Sequence, residues 1–122
     1  MTTLRFPSDR LSPLQARTQL YLPSASSDVV IDLSHWQAPV NFAEAKAAGI
    51  AAVILKATQG ANWIDVTFAA RFAAANAAGL LVGAYHVLDD SGPALQVANF
   101  LSVARGCPVL ALDAEPNEIG GR

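Results

Sequence analysis

The sequence predicts an α/β domain built on a parallel sheet, and three observations lead to that fold class. Short apolar segments alternate with helical segments in the order β-α-β-α-β-α-β. These apolar segments are continuous, which is typical of parallel strands covered on both faces. Neither a Gly-x-Gly-x-x-Gly sequence nor a phosphate-binding loop follows the first strand, which counts against a nucleotide-binding doubly wound sheet. The better interpretation is a partial parallel (β/α) barrel of about four βα units.

The first half of this pattern contains two strands and one helix. Val29–Leu33 is a short run of β-branched and aliphatic residues, which predicts a buried strand. Asn41–Ala48 predicts a short helix, which Gly49 ends because glycine adopts the left-handed conformation of a helix C-terminus. Ile50–Lys56 predicts the second strand, and the polar loop 57–62 follows it.

The second half repeats the pattern twice. Asp65–Ala78 predicts a helix with Asp65 as its N-cap, and Leu80–Val87 predicts the third strand. A third helix is expected from Ser91 or Gly92 to about Arg105, with a proline in its first turn. Pro108–Leu112 predicts the fourth strand.

The domain organisation follows from composition. Residues 1–27 are predicted to be an N-terminal extension and linker, and residues 28–122 the folded domain, which ends after the fourth strand. No segment approaches the roughly 18 continuous apolar residues of a membrane span. Residues 1–27 also lack the apolar core of a Sec signal peptide, so the cellular location is not indicated.

Charge and cysteine content exclude several functions. The 122 residues carry a net charge of −2 without a Lys/Arg cluster, so neither nucleic acid nor a membrane surface is an expected partner. The single Cys107 excludes an intrachain disulfide and a cysteine metal site, and it is expected to be a small buried apolar residue. No cofactor is predicted.

Polar or aromatic side chains follow every predicted strand. Because the chemistry of α/β folds collects at the C-terminal ends of the strands, these side chains are expected to share one rim. The four segments are Asp32-Leu-Ser-His-Trp-Gln37, Lys56-Ala-Thr-Gln-Gly60, Tyr85-His86 and Asp113-Ala-Glu115.

Three carboxylates are the candidate catalytic groups. Asp113 and Glu115 leave a strand on the same face, with Cα atoms roughly 6.5–7 Å apart. Paired acids at this place suit acid/base chemistry, although a helix N-terminus or an ion pair is the structural alternative. Asp32 could join them, or it could be an N-cap or turn residue.

The remaining rim residues each have two interpretations. Trp36 and Tyr85 are either core aromatics or platforms for the C–H faces of sugar rings, and Trp63 is a weaker candidate for the same role. Lys56 is either a surface lysine with a buried stem or a charge partner for a rim carboxylate.

The two histidines, His35 and His86, are expected to be structural or hydrogen-bonding groups. They lack the spacing of a metal site, so no metal is predicted.

Taken together, these segments resemble the family 25 glycoside hydrolases, which are the Chalaropsis-type lysozymes or N-acetylmuramidases. The resemblance runs in order from about Asp28 to Glu115. It rests on the rim segments above and on Ala48-Gly-Ile50, Leu55-Lys-Ala-Thr-Gln-Gly60, Ala78-Gly-Leu80, Val82-Gly-Ala-Tyr-His86 and Leu112-Asp-Ala-Glu115.

The resemblance implies a glycosidase-type (β/α) barrel that cleaves the β-1,4 bond between N-acetylmuramic acid and N-acetylglucosamine in peptidoglycan. It implies that Glu115 is the general acid, kept protonated near neutral pH, with Asp113 and Asp32 as companion carboxylates. The family is associated with net retention, so either an Asp or the substrate's own acetamido group would support the oxocarbenium-like centre. The expected substrate-binding residues are Trp36, Gln37, Lys56, Tyr85 and His86.

The sequence also departs from this family in length. A complete barrel has about 250 residues, with roughly 200 as a lower bound, so this chain is expected to form the N-terminal half of the domain. Its last strand would then be an exposed edge, which a homodimer or a second chain could cover. The alternative function is a catalytically inactive truncated domain, or a cell-wall-binding module with the same half-barrel.

Overall fold

The structure, a computed structural model, describes residues 29–116, so the extension expected at residues 1–27 lies outside the described residues. Within the described range, no helix is long and apolar enough to cross a membrane. The strands are β1 (Val29–Leu33), β2 (Ile50–Gln59), β3 (Trp63–Ile64), β4 (Leu81–Val87) and β5 (Leu110–Asp113). The helices are α1 (Phe42–Ala47), α2 (Phe68–Ala77) and α3 (Pro93–Ala104).

Four strands form a parallel sheet in the order β1-β2-β4-β5, which is also their order along the chain. A doubly wound sheet would reverse direction partway through this order, whereas a barrel adds each strand beside the previous one. The predicted fold class, a parallel α/β sheet of the partial-barrel type, is therefore confirmed.

One face of the sheet is covered by all three helices. Strand side chains alternate between faces, so every second residue of β2 and β4 meets the helices. The buried cluster contains Val53, Leu55, Ala57, Val82 and Ala84 from these strands, and Phe42, Phe68, Ala75, Phe100 and Ala104 from the helices. The other face of the sheet carries Asp32, Lys56, Tyr85 and Asp113.

Cys107 packs at the margin of this core and is half-buried. Burial raises the pKa of its thiol, which favours the neutral form expected of a small apolar residue.

The helix boundaries follow from capping. Asn41 caps α1, because its side-chain oxygen accepts a hydrogen bond from the backbone N–H of Glu44 at 3.1 Å. The prediction that Asp65 is the N-cap of α2 is wrong, since Thr67 occupies that position and the helix begins at Phe68. Asp65 instead holds the turn before the helix, where its Oδ1 accepts from the backbone N–H of Thr67 at 2.8 Å.

Two features near the end of β2 were not predicted. The strand extends to Gln59 and pairs there with the two-residue strand β3, which is antiparallel to it. The register between β2 and β4 shifts by one residue, because Lys56 pairs with Tyr85 whereas Thr58 pairs with His86. Such an extra residue reverses the alternation of the strand, so Gln59 lies on the same face as Lys56.

Candidate active site

Two cavities of about 550 and 570 Å³ lie against the C-terminal ends of the strands, and they share Tyr85, Asp113 and Glu115. The first cavity is also lined by side chains from the loops after β1 and β2, including His35, Trp36, Lys56, Gln59, Asn62 and Trp63. The second is lined by the open face of the sheet, including Val30, Asp32, Ile54 and Ala111. The structure thus brings the three candidate carboxylates to one region.

The carboxylates differ in exposure. Asp113, the last residue of β5, is partly buried, whereas Glu115 follows two residues later and is exposed. Asp32 is exposed on the open face of β1, because its neighbour Leu33 points into the helix-covered core. The two-residue period that predicted a shared face for Asp113 and Glu115 is consistent with their position at the junction of both cavities.

Tyr85 lies between the carboxylates of β1 and β5. Burial raises the pKa of its phenol from 10.0 to about 12, and the negative charges of Asp32 and Asp113 act in the same direction. A hydrogen bond with the side chain of Ser34 acts in the opposite direction. At neutral pH the phenol therefore keeps its proton and can donate a hydrogen bond within the cavity.

The loop after β1 is held by a residue that was not predicted. Arg71 of α2 is only 9% exposed, and its guanidinium donates to the backbone carbonyls of Ser34 at 2.6 Å, Gln37 at 2.8 Å and Ala38 at 3.2 Å. A signal existed in the sequence, because Arg71 lies three residues after Phe68 on the apolar face of the helix. A cation at such a position requires buried acceptors.

Aromatic rings form one side of the first cavity. The ring of His35 lies 4.5 Å from the Trp36 ring and 4.9 Å from the Trp63 ring, centroid to centroid. Trp36 is 80% exposed, so the core interpretation of this residue is wrong. Trp63, the weaker candidate, lies on the unpredicted strand β3 and lines the same cavity.

Lys56 is buried, which excludes the interpretation as a surface lysine. Its Nζ donates to Oε1 of Gln59 at 2.7 Å and lies 4.7 Å from the centroid of the Trp63 ring. A cation at this distance from an indole face is attracted by its electron density. Gln59 reaches this position only because of the register shift in β2.

His86 does not reach the cavities, and its predicted role in substrate binding is wrong. It is 1% exposed and lies on the helix-covered face, with its ring nitrogens 2.7 Å from Oγ1 of Thr58 and 2.9 Å from Oε1 of Gln96. Adjacent strand residues point to opposite faces, so Tyr85 and His86 cannot both face one cavity. The structural interpretation of His86 is the one that these contacts support.

Gln37 also does not line either cavity. Its Oε1 accepts hydrogen bonds from the backbone N–H of Ser34 at 2.7 Å and from the Ser34 hydroxyl at 3.3 Å. The side chain therefore closes the turn after β1, and its contact with substrate stays a prediction.

Asp89 is a further acidic residue at the first cavity. Its Oδ1 accepts from the backbone N–H of Ser91 at 2.8 Å and from the Ser91 hydroxyl, so it forms the turn before α3. It packs against Gly60, whose φ of +58° and lack of a side chain permit this approach. Among residues 29–116, no group of three or more His, Cys, Asp or Glu side chains is arranged to hold a metal ion.

Comparison with known proteins agrees with this geometry. Residues 31–120 match the model of the glycosyl hydrolases family 25. The chain is 45% identical over 56 residues to lysozyme M1 of Streptomyces globisporus, covering 46% of this chain and 19% of that protein. It is 33% identical over 85 residues to the autolytic lysozyme of Clostridium acetobutylicum, covering 70% of this chain and 25% of that protein.

A solved structure shows the same relation in three dimensions. The bacterial lysozyme from Streptomyces coelicolor superimposes with a TM-score of 0.64 and 35% identity, covering 68% of this chain and 42% of the lysozyme. The chain therefore spans less than half of that structure and a quarter or less of the two curated relatives. The family match runs from within β1 to beyond β5 and covers most of the sequence, and the chain belongs to the family 25 glycosyl hydrolases.

Proposed function

We propose that the protein acts on the glycan strand of peptidoglycan as a lysozyme-type N-acetylmuramidase. It would cleave the β-1,4 bond between N-acetylmuramic acid and N-acetylglucosamine. The observation that carries this proposal is the meeting of Asp113, Glu115 and Tyr85 where the two cavities adjoin, with Asp32 lining the second cavity. The names of the relatives, lysozyme M1 and an autolytic lysozyme, support it.

The proposed role of Glu115 is general acid. A glycosidic bond breaks when the leaving oxygen gains a proton as positive charge develops at the anomeric carbon. The carboxyl of Glu115 would supply that proton, and Asp113 and Asp32 would stabilise the positive charge. The intermediate would form either on one of these Asp residues or on the substrate's acetamido group, and both routes give net retention.

Tyr85 and the aromatic rings are proposed to orient the substrate. The protonated phenol of Tyr85 can donate a hydrogen bond beside Asp113, where the reacting sugar would lie. Trp36 and Trp63 offer ring faces at the first cavity, which suit the C–H faces of pyranose rings. The ammonium of Lys56 lies 4.7 Å from the centroid of the Trp63 ring. It would place a positive charge near the carboxyl group of a bound muramic acid residue.

The test is release of reducing ends from purified peptidoglycan by the wild-type chain and by Glu115→Gln. Removing a general acid lowers turnover by roughly a hundredfold to ten-thousandfold. The side chain of Glu115 is exposed, so we expect the variant to unfold at the same temperature as the wild type. Glu44→Gln on α1 makes the same chemical change at another exposed position and should retain full activity.

Two results would contradict the proposal. Retained activity in Glu115→Gln would remove this residue from the reaction. A folded wild-type chain that binds insoluble peptidoglycan without releasing reducing ends would favour the alternative, a catalytically inactive cell-wall-binding module. Co-sedimentation with the insoluble polymer measures that binding directly.

A second proposal concerns the partner of the sheet edge. Leu110 and Leu112 of β5 are 45% and 66% exposed, which is unusual for apolar residues of a parallel strand. We propose that a second copy of the chain packs against this face of β5 and covers them. Sedimentation velocity should then show a dimer that Leu112→Glu dissociates, and a wild-type monomer at micromolar concentration would contradict it.

A further inference from the structure

Asp65 is a buried carboxylate that the proposed reaction does not use. It is 2% exposed and follows β3 in the turn before α2. Burial alone would raise the pKa of this carboxyl, but hydrogen bonds from Thr67 and His35 outweigh burial and hold the pKa below its usual value of 3.8. The residue is therefore ionised at neutral pH, and each of its two oxygens accepts hydrogen bonds.

The two oxygens of Asp65 serve different parts of the molecule. Oδ1 accepts from the backbone N–H of Thr67 at 2.8 Å and from its hydroxyl at 2.6 Å, which stabilises the turn into α2. Oδ2 accepts from the backbone N–H of His35 at 2.8 Å and lies 3.2 Å from Nδ1 of the His35 ring. His35 is 30 residues away in the sequence, so Oδ2 joins the loop after β1 to the turn before α2.

The contact with His35 fixes both the backbone and the ring of that residue. A carboxylate accepts and cannot donate, so Nδ1 of His35 must carry the hydrogen when this bond forms. The imidazole is thereby held in one orientation between the rings of Trp36 and Trp63, at 4.5 and 4.9 Å. Trp36 is 80% exposed, so few other side chains pack against it, and the contact with the His35 ring helps to fix the position of its indole.

These rings form a continuous row along the first cavity. The row runs from Trp36 through His35 to Trp63, and Nζ of Lys56 lies 4.7 Å from the centroid of the Trp63 ring. We call these three rings, together with the Lys56 side chain beside them, the aromatic row. All four line the first cavity together with Glu115.

We propose that Asp65 is a positioning residue that acts through His35 to hold the aromatic row in place for binding the glycan. This inference rests on the proposed function for the identity of the ligand, and on the geometry alone for the action of Asp65 on the row. Its effect is expected on substrate binding, because the row lines the cavity and the proton donor is a different residue.

The experiment compares Asp65→Asn with Thr67→Val. The asparagine variant keeps the shape of the side chain but leaves one acceptor oxygen, so it cannot serve both Thr67 and His35. The valine variant removes only the Thr67 hydroxyl bond to Oδ1 and leaves the His35 bonds intact. Both variants lose stability through the turn, so thermal unfolding alone does not distinguish a capping role from a positioning role.

The kinetic comparison does distinguish them. With soluble oligomers of the alternating peptidoglycan disaccharide, Asp65→Asn should raise KM roughly tenfold and change kcat by less than about threefold. Thr67→Val should leave KM within about twofold of the wild type. In a His35→Ala background, Asp65→Asn should have no further effect on KM, because the two residues act in series. Equal KM values for Asp65→Asn and Thr67→Val would overturn the inference.

Tryptophan fluorescence tests the same inference without substrate. The sequence has two tryptophans, Trp36 and Trp63, and both flank His35. Asp65→Asn should change the emission of the folded protein, whereas Thr67→Val should not. An unchanged spectrum in Asp65→Asn would overturn the positioning role even if the glycan binds. A wild-type chain that neither binds nor cleaves the oligomers would contradict the proposed function, while the spectra would still decide the role of Asp65.

Discussion

The two sides of the candidate site are supported very differently. One side is the loop after β1, residues 34–38, and we call it the anchored wall. The other is the end of β5 with residues 113–116, which we call the edge wall. Buried side chains of α2 and of the turn before it hold the anchored wall, whereas the edge wall pairs with β4.

The anchored wall is fixed by charged groups that are themselves buried. Arg71 donates to three carbonyls of the loop, and Asp65 accepts from the backbone and ring of His35. Buried charges are costly unless they are paired or hydrogen-bonded, so moving the loop away would leave both of them without these partners. The aromatic rings that project from this wall thus have a defined position.

The edge wall carries the candidate acids. The backbone N–H of Leu88 donates to the carbonyl of Asp113 at 2.9 Å, which ties the end of β5 to β4. Leu110 and Leu112 are exposed, and α3 does not bury them. The comparison teaches that buried side chains hold the loop after β1, whereas backbone hydrogen bonds to β4 hold the end of β5.

The largest expected difference in unfolding free energy is between Leu→Ala variants at two positions. Leu55 lies in the central strand β2 at 1% exposure, and Leu112 lies in β5 at 66%. Leu55→Ala should lower the free energy of unfolding by about 2–5 kcal/mol, because it opens a cavity in the core. At concentrations where the chain is monomeric, Leu112→Ala should lower it by less than about 0.5 kcal/mol, because the side chain is exposed there.

Urea unfolding followed by circular dichroism measures both values. Similar losses in the two variants would mean that β5 is as well covered as β2 in solution. That result would support the proposal that a second copy of the chain covers the leucines of β5.

The second prediction tests the anchored wall through an arginine pair. Arg71→Met keeps the apolar stem but removes the donors to three backbone carbonyls, which should cost about 2–3 kcal/mol of unfolding free energy. Arg105→Met makes the same change at an exposed position after α3 and should cost less than about 0.5 kcal/mol. Equal costs, measured by urea unfolding, would show that the loop after β1 does not depend on Arg71.

The third prediction concerns Tyr85, which lies between the two walls. Its pKa is about 12 in the folded protein and 10.0 ordinarily. Between these values the unfolded chain loses the phenolic proton and the folded chain keeps it, so the stability contributed by this group falls as the pH rises from about 10 to 12. Ultraviolet absorbance at high pH, with Tyr85→Phe subtracted, gives the pKa.

Asp113→Asn sharpens this measurement. Burial is the main cause of the raised pKa of Tyr85, and the charge of Asp113 is a smaller one. Removing that charge should lower the pKa by a fraction of a unit. No change would mean that Asp113 lies farther from Tyr85 in solution than in the structure.

Much of the fold could be predicted because the signals are local. The alternation of apolar strands with helices predicted the order of the four parallel strands and three helices. It predicted the bounds of β1 as observed. The bounds of the other parallel strands and of the helices were predicted to within three residues. The placement of polar groups at strand ends predicted the shared rim. The prediction for His86 was wrong for a reason present in the sequence, since a neighbour of Tyr85 on a strand must face the opposite side.

Other features depend on contacts between distant residues. The register shift that turns Gln59 toward Lys56 depends on how β2 pairs with β4. Strand β3 has only two residues, too few for a periodic pattern. The bond between Asp65 and His35 joins residues that are 30 positions apart, and a helix cap was the simpler local interpretation.

The sequence by itself determined the family, the parallel order of the strands and the residue types at the rim. These follow from side-chain periodicity and from motifs that act within a few residues. Only the tertiary structure decided which of those residues face the cavities and which buried groups hold them there. Hydrogen bonds of buried charges are satisfied by whichever acceptors and donors folding brings near, and local sequence does not encode that choice.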